Sequence, residues 1–181
     1  QTSQVPQILN ELRQSTFFAP RDLRMRLSDA RRGSREELVN RLGLLPHDAS
    51  QRDRLVRRSL LEPLPMVMVL RDELHSDRDE LSGVYEQILA SESEEGSARL
   101  RAAMMLAAFD PGDGVWGVGE VVTQVALLDS STTRTGGDSS WLQHADYIVD
   151  QMLRHLAASP QDYNVLQAAF EPSKVGLTPA L

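Results

Sequence analysis

The stretch from Ser97 to Pro111, SARLRAAMMLAAFDP, constrains the fold of this chain more than any other. Leu100, Ala103, Met104, Ala107 and Ala108 recur at helical spacing. The pairs Ala102-Ala103 and Ala107-Ala108 make the helix thin, so neighbouring helices can approach closely. Ser97 reads as its N-cap and Asp110-Pro111 as its stop, because a residue before proline avoids the helical region. Arg99 falls on the side assigned to water. A thin helix buried on two sides needs other helices to cover it, which implies a stacked array.

The rest of the chain supplies those helices. Val5, Ile8, Leu9 and Leu12 make a first short one. Pro20 suits the first turn of a second, carrying Leu23, Met25 and Leu27. Ser34-Arg35-Glu36-Glu37 is a capping box that opens a third, with Leu38, Leu42 and Leu45, and Pro46-His47-Asp48 breaks it. Ser50 is the expected cap of a fourth, with Leu55, Val56, Ser59 and Leu60 on one side. After a turn at Glu62-Pro63-Leu64-Pro65, Met66 to Leu74 forms an apolar helix; VMVL at 67–70 suits a strand by composition, but its flanks favour helix. A Ser76 cap starts the next, through Leu81, Val84, Tyr85 and Ile88, supported by Asp77 and Asp79. Glu92 to Gly96 is an acidic loop, and Val115 to Leu128 a further helix. Residues 129–139, DSSTTRTGGDS, form an exposed loop insert. Ser140 with Gln143 caps a long helix through Leu156, Ser159-Pro160 opens a last one to Phe170, and Pro172 begins another turn.

Degenerate repeats run through this series. Residues 37–45, ELVNRLGLL, align with 101–109, RAAMMLAAF, placing Leu42 on Leu106. Residues 8–12 align with 70–74, and Val69-Leu70 and Leu74 recur as Val165-Leu166 and Phe170. The expected fold is therefore all-α: an α-solenoid of HEAT-like stacked helical hairpins, with about nine to eleven helices in one domain over 1–181.

Composition bounds the function. The hydrophobic fraction of 41% argues against wholesale disorder. With no cysteine, disulfides, thiolate zinc sites and a cysteine nucleophile are excluded together, which fits a reducing, cytoplasmic setting. No apolar run approaches the roughly 18 residues of a membrane span, and no signal peptide is visible. The chain starts and stops inside a pattern, as an excerpt of a longer protein does. Through Arg71 it carries 13 arginines against 8 acids, a net of +5; from Asp72 onward it carries 6 basic residues against 18 acids, a net of −12. Of 19 basic residues only Lys174 is lysine, a bias that a GC-rich genome explains before phosphate recognition does.

Motifs for chemistry are few. Gly112-Asp113-Gly114-Val115-Trp116-Gly117 matches G-x-G-x-x-G, but a helix and Asp-Pro precede it where a phosphate-binding loop needs a strand, so it reads as an inter-helix turn. His47, His75, His144 and His155 lack H-x-x-x-H spacing and suit surface or capping roles. The hydroxyls of 130–133 lack a nucleophile-elbow setting. Trp116 and Trp141 suit packing between hairpins. The arginines at 21, 24, 26, 31, 32, 35, 52, 54, 57 and 58 are the one surface that supports a binding hypothesis. Arg24, Arg31, Arg32, Arg54, Arg57 and Arg58 are the candidates for an anion, an acidic peptide or nucleic acid. Asp22, Asp29, Glu36 and Asp53 interleave with them and aromatics are sparse, which weighs against nucleic acid. No catalytic, cofactor-binding or metal residue is assigned.

Residues 98–116, ARLRAAMMLAAFDPGDGVW, resemble the RLRAA-x-ALAAYDP-x-x-x-x-W motif of HEAT-like repeat regions in large modular serine/threonine protein kinases of planctomycete bacteria. Residues 42–61 resemble that region's ALLPVDPSQVDYL element, 5–12 and 69–74 its V-P-x-I-x-x-x-L and V-I-R-D-A-L helices, and LTPAL at 177–181 its L-x-x-P-L ending. His47-Asp48 replaces Val-Asp-Pro, Phe109 replaces Tyr, and 129–139 lengthens a loop. The resemblance implies a non-catalytic scaffold or regulatory array beside a kinase domain, some members also carrying a formylglycine-generating-enzyme-like domain. Its partner would be a protein or an adjacent domain of the same chain. No kinase residue transfers: the V-A-I-K lysine, the H-R-D loop and D-F-G are missing. The alternative, from the arginines alone, is an anion- or nucleic-acid-binding helical module.

Overall fold

A computed structural model describes residues 20–109 and 143–173. Among the described residues all regular structure is helical and no strand forms. The helices are α1 (Pro20–Asp29), α2 (Arg35–Leu44), α3 (Arg52–Ser59), α4 (Leu64–Leu74), α5 (Arg78–Ala90), α6 (Gly96–Phe109), α7 (Ala145–Ala158) and α8 (Tyr163–Phe170). Short 3-10 turns stand at Leu45–His47, Ala49–Gln51, His75–Asp77, Pro160–Asp162 and Glu171–Ser173. The expected helices over 5–12 and 115–128, the glycine turn at 112–117, both tryptophans, the Ser140 cap, the Asp110-Pro111 stop and the loop insert 129–139 lie outside the described residues.

The helix starts follow local chemistry, with corrections. Ser34 caps α2 as expected: its Oγ accepts the Glu37 N–H at 3.1 Å. Glu37 closes the box one residue early, taking the Gly33 N–H at 2.6 Å instead of the Ser34 amide. That turn passes through Gly33 at φ +78°, a conformation that suits glycine. Ser50 does not cap α3. A 3-10 turn precedes that helix and absorbs Ser50, and Asp48 accepts both its N–H at 3.1 Å and its Oγ–H at 2.6 Å. Ser76 likewise lies inside the His75–Asp77 turn, and no side chain caps α5. α6 begins at Gly96, so Ser97 is helical and not its cap. The turn expected over 62–65 is shorter, because α4 already starts at Leu64; Pro65 fits its first turn, where a missing N–H costs nothing.

Packing centres on α6. Ala102 to Ala107 are all buried, as are Ala98, Leu100 and Phe109. The reason is that α4, α5, α7 and α8 all pack against this one helix, and α4 also touches α8. Its small residues permit this, as the alanine pairs imply. One connected cluster of buried residues runs from Leu38 and Leu42 on α2 to Leu166 and Phe170 on α8. Positions matched by the sequence offsets share their burial: Leu42 with Leu106, Leu70 with Leu166, Leu74 with Phe170. Met25 departs from expectation at 61% exposure, since two residues from Leu23 is the far side of a helix. Val84 on α5 is exposed too, and Leu89 takes its place in the core, continuing the four-residue spacing of Leu81 and Tyr85.

Arg99 is not on a wet face. Its Nε donates to the Leu89 carbonyl at 2.7 Å, and its guanidinium lies 3.7 Å from the centroid of the Tyr147 ring. With four helices round α6, little of its circumference is left for water, and Arg99 instead ties α5 to α7 across it. Arg101 is similarly drawn in, donating to the carbonyls of Glu62 at 2.8 Å and Ser97 at 2.7 Å. Burial pushes its pKa down, while Glu95 and Glu62 oppose that. The buried Tyr85 hydroxyl meets Ser59 Oγ at 3.0 Å, Ser59 donates to the Val56 carbonyl at 2.7 Å, and burial pushes the Tyr85 phenol upward. Arg52 joins α3 to the start of α5 through Asp77 at 2.7 Å and through Glu80. Ser173 Oγ donates to the Ala107 carbonyl at 3.2 Å, fixing the turn after α8 to the central helix.

Candidate anion-binding groove

Helices α2 and α3, with the turn before α2, border an open hollow of about 480 Å³. On α3 the lining residues are Arg54, Arg57 and Arg58, at i, i+3 and i+4 and so on one stripe, and Leu61 lines the hollow from the turn just after the helix. The opposite stripe of the same helix, Leu55, Val56 and Ser59, is in the core. The core face of α3 therefore dictates which of its arginines look into the hollow. From α2 come Glu37, Leu38 and Arg41, from the turn Arg32 and Gly33, and Ser50 and Asp53 complete the lining. Five arginines against two acids give the hollow a net charge of +3.

Two of these arginines are already engaged. Arg41 donates to Glu37 Oε1 through Nε at 3.0 Å and Nη2 at 2.7 Å, and to Gln51 Oε1 at 2.6 Å. Gln51 in turn donates to Asp48 at 3.1 Å. Arg58 donates to Glu62 and to the Gly33 carbonyl. Burial pushes the Glu37 carboxyl up, but hydrogen bonds from Arg41 and the Gly33 amide, with the charges of Arg41 and Arg58, hold it below its ordinary value. The side chains of Ser50 and then Gln51 hold Asp48 low, with a contribution from Arg24. By contrast, among the described residues no carboxylate pairs with Arg32, Arg54 or Arg57, and all three are exposed. The engaged pair thus forms a fixed wall, and the free three are available to an outside anion.

A second hollow of about 280 Å³ adjoins the first and shares Gly33, Leu38 and Arg58 with it. Arg35 lines it. The Nε and Nη2 of Arg35 are shielded from solvent and have no hydrogen-bond acceptor among the described residues. Unmatched buried donors are costly, so this wall favours an acceptor.

Of the six arginines expected from sequence, the fold brings Arg32, Arg54, Arg57 and Arg58 together. Arg24 on α1 is exposed beside Asp48, and Arg31 is exposed in the turn after α1; neither lines the hollow. Arg41 and Arg35 were outside the six. The i, i+4 spacing of Glu37 and Arg41 was a visible signal for the first; nothing in the sequence marks Arg35 as sheltered.

A third hollow, of about 520 Å³, contains His47, Asp48, Arg52, Glu73, Ser76 and Asp77. Its Asp77 is committed to Arg52. Among the described residues no group of three or more His, Asp or Glu side chains is placed to hold a metal ion. His155 meets Asp162 at 2.8 Å, His75 lies 6.1 Å from the Phe109 ring, and His144 precedes α7 without a capping bond. No helix among the described residues is long and apolar enough to cross a membrane. Comparisons with family models, with curated proteins and with solved structures return no match.

Proposed function

We propose that the chain is a non-catalytic helical-repeat domain, an α-solenoid of HEAT-like type that scaffolds or regulates through protein contacts in a cytoplasmic protein. We infer from the motif at 98–116 that it is carried beside a bacterial serine/threonine protein kinase. The observation that carries the reading is the exposed trio of Arg32, Arg54 and Arg57, which no carboxylate among the described residues pairs with, beside a wall of held side chains on an all-helical fold packed round α6. Clustered cations without an internal partner are open to an anionic recognition segment.

The same trio favours a second reading, a nucleic-acid-binding module. Among the described residues no aromatic side chain lines the hollow for base stacking, which weighs against it. Titration of the chain with single-stranded RNA and double-stranded DNA at two salt concentrations separates the readings. Weak binding is expected; tight binding that falls steeply with salt would establish the second reading. ATP turnover by the chain would overturn the non-catalytic assignment. A kinase domain encoded beside this segment is the expected finding in the intact gene product.

A further inference from the structure

We propose that the hollow between α2 and α3 is the docking site for an acidic peptide segment that carries an apolar side chain among its carboxylates. The proposal rests on the interaction-domain reading above and names the chemistry of what is bound.

Three features converge on this ligand. The charge calls for an anion, and arginine binds carboxylate through two parallel N–H donors. Among the described residues Arg32, Arg54 and Arg57 have no ion-pair partner, whereas Arg41 and Arg58 are held by Glu37, Gln51, Glu62 and the Gly33 carbonyl. The rim calls for an apolar group: Leu61, in the turn just after α3, lines the hollow with the arginines and is 76% exposed. A bare phosphate leaves that leucine in water, and a polynucleotide offers it no aliphatic partner, but a leucine-like side chain of a peptide covers it. The path calls for an extended ligand, since a second hollow continues past Gly33 to Arg35, whose sheltered Nε and Nη2 lack an acceptor. A volume of about 480 Å³ falls within the roughly 300–1,000 Å³ of clefts that hold ligands.

The test uses the full chain and fluorescein-labelled peptides. The probe Glu-Glu-Leu-Glu-Glu is compared with Glu-Glu-Ala-Glu-Glu and with Lys-Lys-Leu-Lys-Lys by anisotropy, with inorganic phosphate and single-stranded RNA as competitors. The leucine-containing acidic peptide should bind best and the basic one not at all. Reversing two exposed charges together, Arg54→Glu with Arg57→Glu, should weaken binding at least about tenfold while circular dichroism and the melt stay as in the parent. Leu61→Ser should weaken the leucine peptide about threefold to tenfold and leave the alanine peptide unchanged. Unaltered binding in the double variant overturns the proposal. So does equal binding of the two acidic peptides together with full displacement by phosphate, which marks a small-anion site. Displacement by RNA at lower concentration than peptide overturns it in favour of nucleic acid. Failure of every acidic peptide, with nucleic acid and ATP turnover also negative, removes this groove assignment alone. ATP turnover or tight nucleic-acid binding removes the reading beneath it.

Discussion

Arg99→Ala gives the sharpest test of the packing round α6. The change removes a charge-assisted hydrogen bond to the Leu89 carbonyl at 2.7 Å and a guanidinium 3.7 Å over Tyr147. Hydrogen bonds to charged groups contribute about 1.5–3 kcal/mol and exposed cation–π contacts about 0.5–1 kcal/mol. Arg99 is half-buried, and the two contacts share one guanidinium, so the terms overlap. A net loss of about 2 kcal/mol is expected. In urea at constant slope this moves the midpoint down by about 1 M. Arg99→Lys keeps the charge but not the planar donor, and should fall between. A cycle of Arg99→Ala with Tyr147→Leu should show coupling of about 0.5–1 kcal/mol. A loss within about 0.5 kcal/mol, the size of an ordinary surface change, would refute the claim that Arg99 ties α5 to α7.

Other perturbations probe separate parts of the fold. Leu106→Ala, at a fully buried position, should cost roughly 2–5 kcal/mol, and Ala107→Leu should overpack the same helix by roughly 1–3 kcal/mol; denaturant melts read both. Gly33→Ala forces a side chain into φ +78° and places Cβ 3.3 Å from Arg58 Nη1, so it should destabilise by about 1–2 kcal/mol in thermal melts. Glu37 has a folded-state pKa below its ordinary 4.5. Its contribution is therefore complete above that value and lost as pH falls through the folded pKa. Melts between about pH 5 and pH 3 should show Glu37→Gln flattening this part of the profile; an unchanged slope would argue against the Glu37–Arg41 contact.

Sequence alone determined what depends on local spacing and local bonds. Helical periodicity, the Ser34 cap and the break at Pro46 act within a few residues, so among the described residues the helices, their order and the crowded character of 97–109 were legible. Caps were legible only when the helix started directly: at Ser50 and Ser76 a 3-10 turn intervened, and periodicity does not distinguish that turn from the helix it precedes. Arg32, Arg54, Arg57 and Arg58 were candidates by charge, and the stripe on α3 follows from 3.6 residues per turn. What no local rule contains is which helix covers which. Tertiary packing placed four helices on α6, and so made Arg99 a tie between helices and not a surface charge. It also decided that Arg41 and Arg58 are held while Arg32, Arg54 and Arg57 have no ion-pair partner among the described residues. An arginine's partner is set by distances across the fold, as with Arg58 and Gly33, which are far apart in the chain and joined only by packing.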